Sequence, residues 1–320
     1  MKRVTFLVYI MMILCVFACK DEDDDNDDMT IDCTSDQVVD TSRGDCTELV
    51  PDTTSFEMVI AGTNLNISAN NIPQHKVGLF GGGQGSLNPN AITSQNSNYS
   101  ISSEPTEAAS WTPLLATGTG MNGGPRYSFG VLLNGVELDP VAAEPFPHEG
   151  FMSANVNWEW NLEATNVAIG LDCNNAHVQP TGKYHYHGSP TLYLEALNVT
   201  TDAMTLIGYA ADGFPIYYKY AYTDANDAAS TITAMTSSYQ LKSGDRPGDG
   251  ETAPCGTYDG VYSNDYEYVE GLGTLDEANG RNGVTPEYPE GTYYYIITDE
   301  FPSIPRYFRG TPSNDFKLGG

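Results

Sequence analysis

Residues 181–190 read TGKYHYHGSP, and His177, His185 and His187, three of the chain's five histidines, fall within eleven residues. Histidine is the side chain that changes charge near neutral pH and the commonest metal ligand, so this clustering points to proton transfer or to an ion. On a strand, alternate side chains share a face, so His185 and His187 point one way and Tyr184 and Tyr186 the other. Same-face neighbours stand about 6.6 Å apart at Cα, close enough for two imidazoles to meet on one ion through bonds of about 2.0–2.1 Å. His177 precedes a Gln179-Pro180-Thr181-Gly182 turn that can fold it back beside the pair. Three imidazoles without an obligatory thiolate suit zinc or copper. Asp172 is a candidate fourth ligand or an acceptor for a histidine N–H. Two other readings stay open. Without a metal, the same residues can serve as the general acid and base of a hydrolase. Alternatively they are cleft residues of a surface module whose Trp111, Trp158, Trp160 and tyrosines stack on a glycan or another small-molecule ligand.

The elements that must position these histidines read as strands. Short alternating stretches recur at Tyr127–Leu133, Val156–Trp160, Leu192–Leu194, Ile216–Tyr218 and Tyr293–Ile297. Turn signals such as Asn134-Gly135, Asp212-Gly213 and Asp259-Gly260 separate them. Helical periodicity is scarce, and a cluster of alanines predicts one short helix near Asp224–Met235. The expectation for residues 56–320 is a mainly β domain, a sandwich or distorted barrel with long loops and little helix. Asp212 belongs to a plain turn, with a site carboxylate as the second reading. Phe146-Pro147-His148-Glu149 reads as a structural loop, and Asp259–Glu267 offers oxygens for calcium without a recognised loop spacing. There is no Gly-rich phosphate loop and no Gly-x-Ser-x-Gly elbow.

A frame of Leu-Asp-x-x-Asn followed by Gly-x-Tyr-x-Tyr occurs twice. It spans Leu171–Asn175 with Gly182–Tyr186, and Leu275–Asn279 with Gly291–Tyr295. A duplicated turn-plus-strand unit gives such a pattern. In the second copy, His177, His185 and His187 are matched by Arg281, Tyr294 and Ile296. The scaffold repeats and the histidines do not.

The start of the chain speaks to compartment. Lys2 and Arg3 precede an uncharged apolar stretch, Val4–Phe17, that is too short to span a bilayer, so residues 1–19 have the layout of a signal peptide. Val16-Phe17-Ala18-Cys19 resembles a lipobox, making Cys19 the candidate lipidation site. An acidic run follows, and residues 20–55 read as a disordered tether. The expected product is an outer-membrane lipoprotein exposed at the cell surface, attached through its lipid without spanning. The formal charge of −28 excludes a nucleic-acid partner and suits cations or neutral ligands. Setting aside Cys15 and Cys19, four cysteines remain, an even count that favours disulfides in an exported chain. Of the three connectivities, Cys33–Cys46 closing a small loop and Cys173–Cys255 stapling the body are preferred. Cys173 as a metal ligand beside His177 is the alternative.

The run Leu171–His177 leading into Gly182-Lys183-Tyr184-His185-Tyr186-His187-Gly188-Ser189-Pro190 resembles the YHYH domain family. Gly208–Tyr217, Leu275–Arg281, Phe301–Gly310 and, upstream, Asn71-Ile72-Pro73-Gln74-His75 and Asn88-Pro89-Asn90 extend the likeness over roughly residues 56–312. The resemblance implies an exported domain whose Tyr-His-Tyr-His strand is functional, with no particular reaction attached. It also adds His75 as a fourth candidate site residue. Tyr293-Tyr294-Tyr295 stands where the family has a histidine-bearing second strand, which speaks against a second site there.

Overall fold

The computed structural model describes Cys33, residues 37–148, Gly150 and residues 153–318. Residues 1–19, read as a signal peptide ending at Cys19, and the acidic run behind them lie outside the described residues. Alternation builds the first sheet, an antiparallel meander of β1 (Phe56–Ala61), β2 (Asn64–Ala69) and β3 (Ser97–Ser102). Leu65 and Ile67 of β2 and Tyr99 and Ile101 of β3 point into the main core.

Two hairpins with matching turn chemistry form the centre of the main sheet. Asn134-Gly135 joins β4 (Gly130–Leu132) to β5 (Glu137–Leu138), and Asp212-Gly213 joins β8 (Leu206–Ala210) to β9 (Pro215–Tyr218). In each turn the Asn or Asp side-chain oxygen accepts from the N–H two residues on, and the glycine takes a φ near +90°, a left-handed conformation open to glycine. A second pair of hairpins flanks them: β6 (Ala176–Val178) with β7 (Tyr184–Tyr186), and β10 (Gly280–Gly283) with β11 (Thr292–Ile297). The eight strands run in the order β6-β7-β5-β4-β8-β9-β11-β10. β7 lies parallel to β5 and β11 parallel to β9, and the other neighbours are antiparallel.

The register exposes an approximate two-fold. β4 and β8 pair antiparallel as Gly130↔Ala210, Val131↔Tyr209 and Leu132↔Gly208. The axis passes through the Val131–Tyr209 pair and carries Gly130 onto Gly208 and Asn134-Gly135 onto Asp212-Gly213. A Cβ at Gly130 would collide with the Tyr209 carbonyl and one at Gly208 with the Val131 carbonyl, so both copies need glycine at the seam. The outer turns repeat too. Asp172 Oδ1 accepts from Asn174 and Ala176 N–H, Asp276 Oδ1 accepts from Ala278 and Gly280 N–H, and Asn175 and Asn279 both take positive φ. The duplicated frame read in the sequence thus brackets the outer hairpin of each half-sheet, two of its four strands.

Several expectations are corrected. The main sheet is open, with edges at β6 and β10, so no barrel closes. The first meander shares its core, which leaves a sandwich-like arrangement. Leu192–Leu194 lies in the only α-helix among the described residues, α1 (Thr191–Ala196), because three residues are too few for alternation to separate strand from helix. No helix forms at Asp224–Met235. The Asp224 and Asp227 carboxylates bond the N–H groups of Asn226 and Ala229, and Ile232–Ala234 pairs as a strand with Tyr220–Tyr222.

The cysteines pair as Cys33–Cys255 and Cys46–Cys173, not as Cys33–Cys46 and Cys173–Cys255. Residues 37–55 pack along the domain, with Gly44 bridging Asp172 and Glu48 bridging Val77, and this holds Cys46 beside Cys173. That stretch is therefore part of the domain and not of a tether. Both disulfides fit an oxidising compartment. Among the described residues no helix is long and apolar enough to cross a membrane.

Candidate metal centre

The site is assembled by the β6–β7 hairpin. His177 pairs directly with His185 across it, and His187 follows β7 on the same face. His187 is fixed by its N–H, which donates to the Asn175 carbonyl at 2.7 Å. Asn175 is held in turn, its Oδ1 accepting from Arg43 Nε and its Nδ2 donating to the Ser189 carbonyl.

The three Nε2 atoms converge. His185 and His187 approach to 2.9 Å, His187 and His177 to 3.1 Å, and the three ring centroids stand 4.7–4.8 Å apart. Ligand atoms on a tetrahedral ion with bonds of about 2.0–2.1 Å stand roughly 3.3 Å apart, so a small relaxation fits the cluster to one ion. The far side of the rings decides their protonation. His177 Nδ1 faces the Ile169 carbonyl at 3.1 Å and His185 Nδ1 the Lys183 carbonyl at 3.3 Å. A carbonyl only accepts, so those Nδ1 atoms carry the proton and turn unprotonated Nε2 lone pairs toward the centre. His187 Nδ1 is buried without a well-aligned hydrogen bond, and the Pro140 carbonyl beside that ring favours a proton on it. Lone pairs this close repel unless a proton or a cation lies between them.

Burial makes a proton the poorer occupant. His185 and His187 are almost wholly buried and His177 is half-buried. Desolvation, the largest cause, depresses all three imidazoles below the ordinary 6.5, and His185 and His187 fall well below it, with mutual repulsion adding. Neutral imidazole is the form that binds metal.

The other candidates lie elsewhere. His75 is on the tyrosine face, with Nε2 on Tyr186 Oη at 2.6 Å and Nδ1 on the Lys76 carbonyl at 2.8 Å. Asp172 is consumed on that face as well. Its Oδ2 accepts from Tyr184 Oη and Gly78 N–H while Oδ1 caps its own turn, so it is neither ligand nor orienting acceptor. Asp212 is a turn residue whose Oδ2 accepts from Tyr295 Oη and Gly310 N–H. Burial, the largest cause, lifts its carboxyl to about 6. Cys173 is in a disulfide and is no ligand. Trp158 and Trp160 are buried, Trp158 donating to the Gly120 carbonyl, so they form no glycan platform. Arg246 takes both Asp259 and Asp265, which removes the calcium reading.

The sequence reading missed two carboxylates on the histidine face. Glu137 stands across from His185 in the parallel β5–β7 pair, bonded by Tyr99 Oη at 2.5 Å and Lys183 Nζ at 2.8 Å. Asp139 follows it on the same face, and burial, then the Glu137 charge, pushes its carboxyl up to about 7. Glu137-Leu138-Asp139 is a charged–apolar–charged alternation just after a turn signal, and that pattern could have found them.

Fold and site together define an open mixed-β protein with a buried three-histidine cluster on one strand pair. Residues 98–310 match the family model described as YHYH protein, and the chain belongs to that family. No curated protein and no solved structure matches.

Proposed function

We propose that this chain is an exported, lipid-anchored surface protein whose YHYH domain holds a transition metal, zinc or copper, on His177, His185 and His187. The observation that carries the reading is the convergence of three imidazole nitrogens, on two buried histidines and one half-buried, within 4.8 Å of one another. Imidazole nitrogen is a ligand for both metals, and three protein ligands leave a coordination position open. A bound ion there can polarise a ligand or activate water. The signal-peptide layout, the Cys19 lipobox and two disulfides support export. The test is the metal content of the purified full chain after removal of adventitious ions and incubation with zinc or copper. One equivalent should bind to the wild type and none to His185→Ala/His187→Ala. No uptake at micromolar metal, or equal uptake by both proteins, would sink the reading.

A further inference from the structure

A second group of side chains beside the triad has no assigned role. Asp139 N–H donates to the Tyr186 carbonyl at 2.9 Å, which places Asp139 across from the end of β7 that carries His187. Asp139 is 4 % exposed. Gln179 Nε2 donates to its Oδ2 at 3.2 Å, while Oδ1 is buried with no hydrogen-bond partner. Buried acceptors are ordinarily paired, so an orphaned one points to a missing donor.

Asp139 and Gln179 line a cavity of about 480 Å³ whose wall also includes Met121, Val141, Ala143, Trp158 and Leu318. That volume lies in the range of small-molecule sites, as does a mostly apolar wall with few polar groups. Glycine shapes the wall: a Cβ at Gly123 would collide with the Trp158 ring, so a bare backbone lies against the indole. Burial also raises the Asp139 carboxyl, which marks a place unfavourable to a second negative charge.

We propose that this cavity binds a small neutral molecule with an apolar body and a hydroxyl head, the hydroxyl donating to the ionised Asp139 carboxylate at the cavity wall. A molecule so held lies in a cavity whose wall includes Gln179, two residues beyond His177 in the sequence. Its use as a substrate rests on the metal reading, whereas its binding does not.

The test is calorimetric titration of the full chain with 2-naphthol and with 2-naphthoate, with zinc content measured on the same samples. 2-Naphthol should bind saturably at one site, with 2-naphthoate weaker by about tenfold or more, since a site built to accept from a hydroxyl rejects the analogue without one. Asp139→Asn should erase most of that preference. Ala143 is exposed at the wall, so Ala143→Trp can fill the cavity without disturbing the core, and it should abolish binding while zinc uptake persists. Naphthol binding without zinc uptake leaves the cavity proposal standing and removes only the metal reading. No saturable binding of 2-naphthol, or binding unchanged in Ala143→Trp, overturns the proposal.

Discussion

The two halves of the main sheet differ on one face and agree on the other. On the shared face, Tyr184 bonds Asp172 and Tyr186 meets Asn134 in one half, while Tyr293 bonds Asp276 and Tyr295 bonds Asp212 in the other. On the opposite face, the His177–His185 pair is answered by Arg281–Tyr294, in which Arg281 Nε donates to Tyr294 Oη at 2.6 Å. His187 is answered by Ile296, which packs with Tyr217 and Tyr294 in a small apolar cluster. One backbone plan therefore carries a packed core on one side of the axis and three neutral imidazoles on the other. The tyrosines are what the plan needs, and the histidines are what one half adds to it.

Transferring the second half's residues to the first is the strongest way to break that comparison. His177→Arg/His185→Tyr/His187→Ile should weaken zinc binding by more than about 100-fold, as loss of three first ligands implies. The same protein should keep both disulfides and a cooperative unfolding transition. A variant that folds and still takes up one equivalent of zinc would contradict the division of labour.

The shared face is tested by its hydroxyls. Tyr186→Phe removes the partner of His75 Nε2 and Asn134 Nδ2, and Tyr295→Phe removes a donor to the buried Asp212 carboxyl. Each should cost about 1–3 kcal/mol in urea unfolding, the larger loss at Tyr295, with zinc uptake unchanged in both. A clear loss of zinc from either one would make that tyrosine part of the site.

The last expected effect is a pH slope. The three histidines titrate below the ordinary 6.5 in the folded chain. Below pH 6.5 the unfolded chain therefore binds more protons than the native one, and stability falls as pH falls through that value. The slope for metal-free protein is at most about 1.4 kcal/mol per pH unit for each histidine. Melting temperatures between pH 7 and 5 should decline less in the triple variant than in the wild type.

The face division was legible in the sequence because a strand alternates, and the echo showed which residues repeat. The triad was legible for the same reason: a turn and a period of two place His177, His185 and His187 together. Glu137 and Asp139 were legible only as an alternating strand, because β5 joins β7 in parallel from far along the chain and no local signal gives the register that brings them to the histidine face. The disulfides failed likewise. Cys33 and Cys46 are near in sequence, but each pairs with a different cysteine far along the chain. His75 and Asp172 stand close to the motif in space and on the wrong face of the sheet.

The claim that three imidazoles share one ion is tested most directly by X-ray absorption of the zinc-loaded full chain. The expected spectrum has three imidazole nitrogens at about 2.0 Å, falling to one in His185→Ala/His187→Ala if any metal remains. A first shell of oxygens without imidazole scattering, or a spectrum unchanged by the substitutions, would contradict it.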